Sequence, residues 1–181
     1  MKLLLSALIF FFMSNAVLAQ SAGEMRVSAG LAIGTEAGLD NNGGKALGLG
    51  INIGGEYFIV DNISASPSFT YFFESNVGTL PNRFSLRLNT LNIDGRYYLM
   101  DSPVEFYGIA GISIASARAE SNVSIFGVNQ VSSSSDSEVG LNFGIGANLP
   151  VTDEIQGNAQ MVYNTPLEQL IINLGVVYRI F

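Results

Sequence analysis

The residues able to carry chemistry are few, and they share one phase of an alternating pattern. Arg26, Glu56, Asp94, Arg96, Glu154 and Arg179 fall on the polar side of segments in which apolar and polar residues alternate, close to the ends of those segments. Guanidinium and carboxylate groups gathered on one face serve either as an ion or proton gate or as a salt-bridged plug. Buried charges must be paired, since each costs several kcal/mol when it is not. Glu56 with Glu154 is the one inward carboxylate pair able to work as acid and base, and the neighbouring arginines favour ion pairing instead. The 181-residue chain has no histidine and no cysteine. That removes Ser-His-Asp and Cys-His catalysis, disulfides, and His- or thiolate-ligated metals. Gly48-Leu49-Gly50 and Gly54-Gly55 lack the spacing and following helix of a nucleotide loop. Asp40-Asn41-Asn42 lacks the twelve-residue pattern of a calcium loop and its closing Glu. No catalytic residue, metal or cofactor is expected.

The elements that must position these charges are strands. Leu47, Leu49, Ile51 and Ile53 alternate with glycine, alanine and asparagine, and Tyr57 keeps the phase. Ile63 to Phe73, Val139 to Leu149 and Leu170 to Ile180 repeat the pattern, and Val27 to Ile33, Leu91 to Leu99 and Ile155 to Tyr163 do so more weakly. Successive side chains of a strand point to opposite faces, so each segment has one greasy and one small or polar face. Phe84, Leu86 and Leu88 sit out of phase with Leu91, which predicts a bulge or an off-sheet start there. Val104 to Arg118 is a further strand of two-way phase, with Phe106, Ile112 and Ile114 on one parity and Tyr107 and Ile109 on the other. The count is eight. Short connections at Val60–Asn62, Met100–Pro103 and Pro150–Asp153 alternate with long ones at Thr35–Gly44, Ser75–Arg83, Ala119–Asp136 and Asn164–Gln169. The Ser132–Ser135 run reads as flexible loop.

Residues 1–19 read as a signal peptide. Lys2 supplies the positive charge, Leu3 to Met13 the apolar core, and Val17 and Ala19 the small residues before a cut after Ala19. Residues 20–181 then form one domain. Loss of Lys2 leaves seven basic and fifteen acidic residues, a net charge of −8. Nothing in that balance suits nucleic acid.

The polar face decides the environment. A soluble β-sandwich or secreted ligand-binding barrel turns its apolar face inward and covers its outside with charge. Here the polar face is mostly Gly, Ser, Asn, Gln and Ala, suited to a narrow lumen, and the apolar face is nearly free of charge, as lipid contact requires. Strands can sit in lipid only within a closed barrel, which pairs every backbone group. Tyr57, Phe58, Tyr71, Phe72, Phe73, Tyr97, Tyr98, Phe106, Tyr107, Tyr163 and Tyr178 lie mostly near strand ends and read as interfacial girdles.

The whole of residues 20–181 resembles the small outer-membrane barrels of the OmpA-barrel and OmpX type. The likeness rests on the signal peptide, the eight alternating segments, the short-turn and long-loop rhythm, and the run Leu174-Gly175-Val176-Val177-Tyr178-Arg179-Ile180-Phe181. Glu56-Tyr57-Phe58 before a turn, and Leu91-Asn92-Ile93-Asp94 before Arg96-Tyr97-Tyr98, are similar to segments of that family. The resemblance implies an eight-stranded antiparallel transmembrane β-barrel of the bacterial outer membrane. It also implies that Tyr178, Ile180 and Phe181 form a tag for the barrel-assembly machinery, although Phe181 is one residue off the outward parity of the other two. The expected partners are outer-membrane lipid, that machinery, and a surface ligand at the extracellular loops. The expected role is non-enzymatic, structural or surface-interacting. The rivals are a narrow channel for ions or small solutes and a soluble secreted ligand-binding barrel.

Overall fold

The computed structural model describes residues 22–79, 82–101, 104–125 and 128–180. The proposed signal peptide and Phe181 lie outside the described residues, as does part of the Met100–Pro103 turn. The architecture is all-β: β1 (Met25–Leu39), β2 (Lys45–Val60), β3 (Ile63–Phe72), β4 (Ser75–Thr79), β5 (Asn82–Asp101), β6 (Glu105–Ile125), β7 (Val128–Pro150), β8 (Ile155–Asn164) and β9 (Gln169–Arg179). Every pairing is antiparallel. β3 and β4 both lie on β5 and together make one stave, so the nine strands form an eight-stave ring, closed where β9 pairs with β1. Eight staves enclose an interior just wide enough for side chains to fill.

The alternation sorts side chains as the inside-out pattern requires. Leu31, Ile53, Ile93, Ile112 and Ile145 face outward and are exposed, while Asn52, Thr90, Asn92, Ser113 and Asn142 are buried in the lumen. This is the reverse of a soluble ligand-binding barrel. The two-way phase of β6 resolves cleanly: Phe106, Ile112 and Ile114 face out, and Tyr107 and Ile109 face in.

Three expectations change. No bulge separates Leu88 from Leu91, because β5 keeps one register with β6 from Arg83 to Tyr98. Leu88 instead points into the lumen, where it packs with Ala32, Ala37, Phe72 and Ile171, flanked by Leu86 and Leu167. The aromatics also divide. Tyr57, Phe73, Tyr97, Phe106, Tyr163 and Tyr178 are exposed on the outer wall, but Phe58, Phe72, Tyr98 and Tyr107 are buried inside. The Ser132–Ser135 run is strand, paired with Arg118–Ser121 of β6. Both of its faces are exposed, so no alternation marked it in the sequence.

β5, β6 and β7 therefore rise above the ring as a protruding sheet, with β4 on one side. β8 joins β7 only from Asn142 downward. Thr165 satisfies both backbone groups of Leu141, at 3.0 Å and 2.8 Å. Above that point β7 pairs, among the described residues, with β6 alone and presents its other edge without a strand.

Candidate functional site

The lower lumen is built by the ends of β1, β2, β3, β5, β6, β7, β8 and β9. Arg26 comes from β1, whose even residues face in as far as Gly34, and is fully buried. Its Nε donates to Glu24 Oε1 at 2.5 Å, and its Nη1 donates to Glu105 Oε2 at 2.6 Å and Gln156 Oε1 at 3.1 Å. The guanidinium stacks 4.7 Å from the centroid of Phe58, a cation–π contact in a water-poor space. Arg179 donates its Nε to the same Glu24 oxygen at 2.8 Å and lies 3.8 Å from Glu105. Gln156 and Asn148 donate to the remaining lone pairs of Glu105 at 3.0 Å and 3.3 Å.

One pleat higher stands a second ion pair. Arg96 Nη1 donates to Glu56 Oε2 at 3.1 Å. Glu56 Oε1 also accepts from Ser64 Oγ at 2.5 Å and from the Tyr98 hydroxyl at 2.8 Å. Arg96 Nη2 donates to Gln160, and its Cζ lies 5.0 Å over the Tyr107 ring. Tyr107 owes its position to Gly146, its cross-strand partner on β7. A Cβ at Gly146 would fall within that ring. The aromatic lies flat on the bare backbone and restores the contacts that the glycine lacks.

The sequence candidates are thus brought together in part. Arg26, Glu56, Arg96 and Arg179 share this network. Asp94 is buried higher, in a mid-lumen layer, where Asn142 Nδ2 donates to it at 3.0 Å. Glu154 is exposed in the β7–β8 turn, with the Tyr178 hydroxyl donating to it at 3.2 Å, so it forms no inward pair with Glu56. The missed carboxylates are Glu24 and Glu105. Glu24 precedes β1 by one residue, on the parity of Arg26, and two-residue spacing is the signal that would have found it. Glu105 opens β6, where parity was undecided.

The arrangement neutralises itself. Three guanidinium groups meet three carboxylates. Nothing in the network resembles a nucleophile with its base, and among the described residues no three acidic side chains gather as metal ligands. The exposed Asp40-Asn41-Asn42 segment is explained by its own turn, in which Asp40 Oδ1 accepts from the backbone of Asn42 and Gly44 at 2.8 Å and 2.7 Å.

A different charge set marks the rim. Arg87 donates to Glu74 at 2.6 Å, and Arg83 lies 3.7 Å from the same carboxylate. The Arg87 hydrogen bond holds the Glu74 carboxyl below its ordinary value, against a smaller opposing effect of burial. Arg118 pairs with Glu120 at 2.8 Å.

Several solved barrels share this fold. Ail, the attachment invasion locus protein of Yersinia pestis, superposes with a TM-score of 0.57 at 20% identity, over 87% of this chain and 99% of Ail. Ail in complex with the heparin analogue sucrose octasulfate gives a TM-score of 0.62 at 20% identity, over the same shares. The N-terminal β-barrel domain of Pseudomonas aeruginosa OprF gives 0.52 at 16% identity, over 88% of this chain and 99% of that one. At these identities the likeness is one of fold. None of the curated proteins matches the chain in sequence. Residues 3–179 match the outer membrane protein beta-barrel domain family, and with its closed eight-stave ring the chain belongs to that family, as an integral barrel of the bacterial outer membrane.

Proposed function

We propose that this barrel is a non-enzymatic surface-interaction protein with a shut lumen, and that the protruding β5–β6–β7 sheet makes the contact. The observation that carries the reading is the edge of β7 from Val128 to Val139, which pairs with no second strand among the described residues and stands above the Thr165–Pro166 turn that covers Gly140. An unpaired strand edge is a template for an added strand, and proteins that avoid such pairing blunt the edge with Lys, Pro or a bulge. Between Gln130 and Ser135 this edge has no charged residue and no Pro, its only charges being Asp136 and Glu138 lower down, and its register with β6 is unbroken. The lumen offers no rival surface. Apolar Phe72, Leu88 and Ile171 fill it above, and the arginine–glutamate network acts as a plug below.

The printed description of Ail as an attachment protein agrees with this reading. The ligand of the Ail complex does not transfer as readily. Arg83, Arg87 and Arg118 are each committed to Glu74 or Glu120 and Lys45 to Glu36, so among the described residues no free cationic patch awaits a sulfated sugar. Export by a signal peptide cut after Ala19, and recognition of Tyr178, Ile180 and Phe181 by the assembly machinery, complete the proposal.

The test is adherence of bacteria displaying the barrel to an animal-cell monolayer. Ser133→Lys with Ser135→Lys blunts the edge. Adherence should fall several-fold while surface amount and the heat-dependent gel shift stay unchanged. Equal adherence rejects the edge. Discrete openings of the refolded protein in a planar bilayer would replace this reading with a channel.

A further inference from the structure

The lower carboxylates are matched by guanidinium groups, and Asp94 is not. Among the described residues it forms no ion pair, although it is only 7% exposed. Arg96, the next inward residue on β5, acts on it through space. The hydrogen bonds of Arg96, however, go to Glu56 and Gln160, and Glu56 already balances its charge. A buried charge without a partner is expensive and calls for compensation.

Asp94 lines a cavity of about 10 Å³ in the middle of the lumen, near the smallest space that admits one water-sized guest. The apolar closure lies above it and the Arg96–Glu56 pair below. Asn173 lines the same cavity, is 6% exposed, and its Oδ1 has no hydrogen-bond partner. Two mismatches therefore meet at one small space: a negative charge without a cation and an oxygen without a donor. Water would serve the oxygen and leave the charge. A proton on the carboxyl would serve both, and so does a cation, but only the cation makes stability depend on the salt supplied.

Ser68 and Thr70 add hydroxyl oxygens to the wall. Each already accepts one asparagine amide and keeps further acceptor capacity. Neutral oxygens around one carboxylate suit a hard ion of single charge. A calcium ion takes six to eight oxygens and draws on several carboxylates, and no cluster of three acidic side chains exists among the described residues. The geometry points to a binding site for one small monovalent cation of sodium's class, held by Asp94 and Asn173 between the two closures of the lumen.

The experiment needs no entry path, because the ion is present during folding. The chain without residues 1–19 is refolded in nonionic detergent at fixed ionic strength and pH 7, in sodium chloride or choline chloride. Choline is too large for the cavity. Thermal unfolding is then read by circular dichroism. The melting temperature should be higher in sodium by about 2–4 °C, the effect of about 1 kcal/mol on a chain of this size. Asp94→Asn keeps the shape and removes the charge, and should erase the difference. Asn173→Leu should raise the midpoint of a sodium titration at least tenfold. Equal melting in both salts, or sodium dependence that survives Asp94→Asn, overturns the site. If Asp94→Asn does not refold, an unchanged midpoint in Asn173→Leu overturns it equally.

Discussion

Two layers of opposite chemistry cross the lumen. At the bottom, Arg26, Arg96 and Arg179 are locked to Glu24, Glu56 and Glu105, and nearly every polar atom has a named partner. Arg96 Nε is an exception. At the top, Ala32, Phe72, Leu88 and Ile171 simply fill the space. The two differ in how they fail. A buried ion pair adds little over a packed apolar pair, yet losing one partner strands a charge. An apolar cluster loses transfer energy and leaves a cavity, in proportion to what is removed. The lower closure is thus specific and brittle, and the upper one is adaptable.

The largest effect should come from breaking the brittle side. Arg96→Met leaves Glu56 buried without its cation and should cost about 3–5 kcal/mol in a urea titration of the refolded barrel. Adding Glu56→Leu should recover much of that loss. If the double variant is no better than the single, the ion pair is not what Arg96 contributes. Arg179→Met should cost far less, under about 1 kcal/mol, because its side chain is 35% exposed and solvent screens its pairs.

Leu88→Ala tests the other closure and should cost about 2–5 kcal/mol. Its sharper readout is conductance. Either closure alone is expected to keep a planar bilayer silent, and Leu88→Ala combined with Arg96→Met should produce openings that neither gives separately. Openings in Leu88→Ala alone would show that the lower network is not a seal.

The smallest effect belongs to the rim. The Glu74 carboxyl is held below its ordinary value by Arg87, so the stability it contributes is present above the unfolded carboxyl value near ~4.3 and is lost as pH falls through the lower folded value. The protection factors of the β4 amides, which remove the pH dependence of intrinsic exchange, should therefore fall on acidification below about pH 4.3. In Glu74→Gln they should be low at every pH. A pH-independent β4 in the parent chain would detach Glu74 from that strand's order.

Legibility followed the same division. Ring, phase and inward arginines were readable because one face met lipid and the other did not, and Leu31, Ile53 and Ile145 show that contrast directly. Glu154 misled because its parity continued into a turn, where parity has no meaning. Above the membrane the contrast ends. Ser132–Ser135 face water on both sides, so a paired strand left no periodic trace and read as loop. Leu88 was legible as apolar but not as lumenal, since an apolar residue on the polar phase looks like a slipped register until its neighbours Phe72 and Ile171 are placed beside it.

The seam between β1 and β9 has a consequence in time. Its strands come from opposite ends of the described chain, from Arg26 against Arg179 to Gly34 against Ile171. At its middle Gly30 faces Gly175, and a methyl group on either would overlap the opposing backbone. Contacts so distant in sequence form slowly, because loop entropy must be lost before any pairing offsets it. Until β9 docks, β1 and β9 are both bare edges with apolar outer faces. Ring closure is therefore the step that ends the chain's exposure to mispairing, and the bare backbone at Gly30 and Gly175 keeps it free of side-chain obstruction.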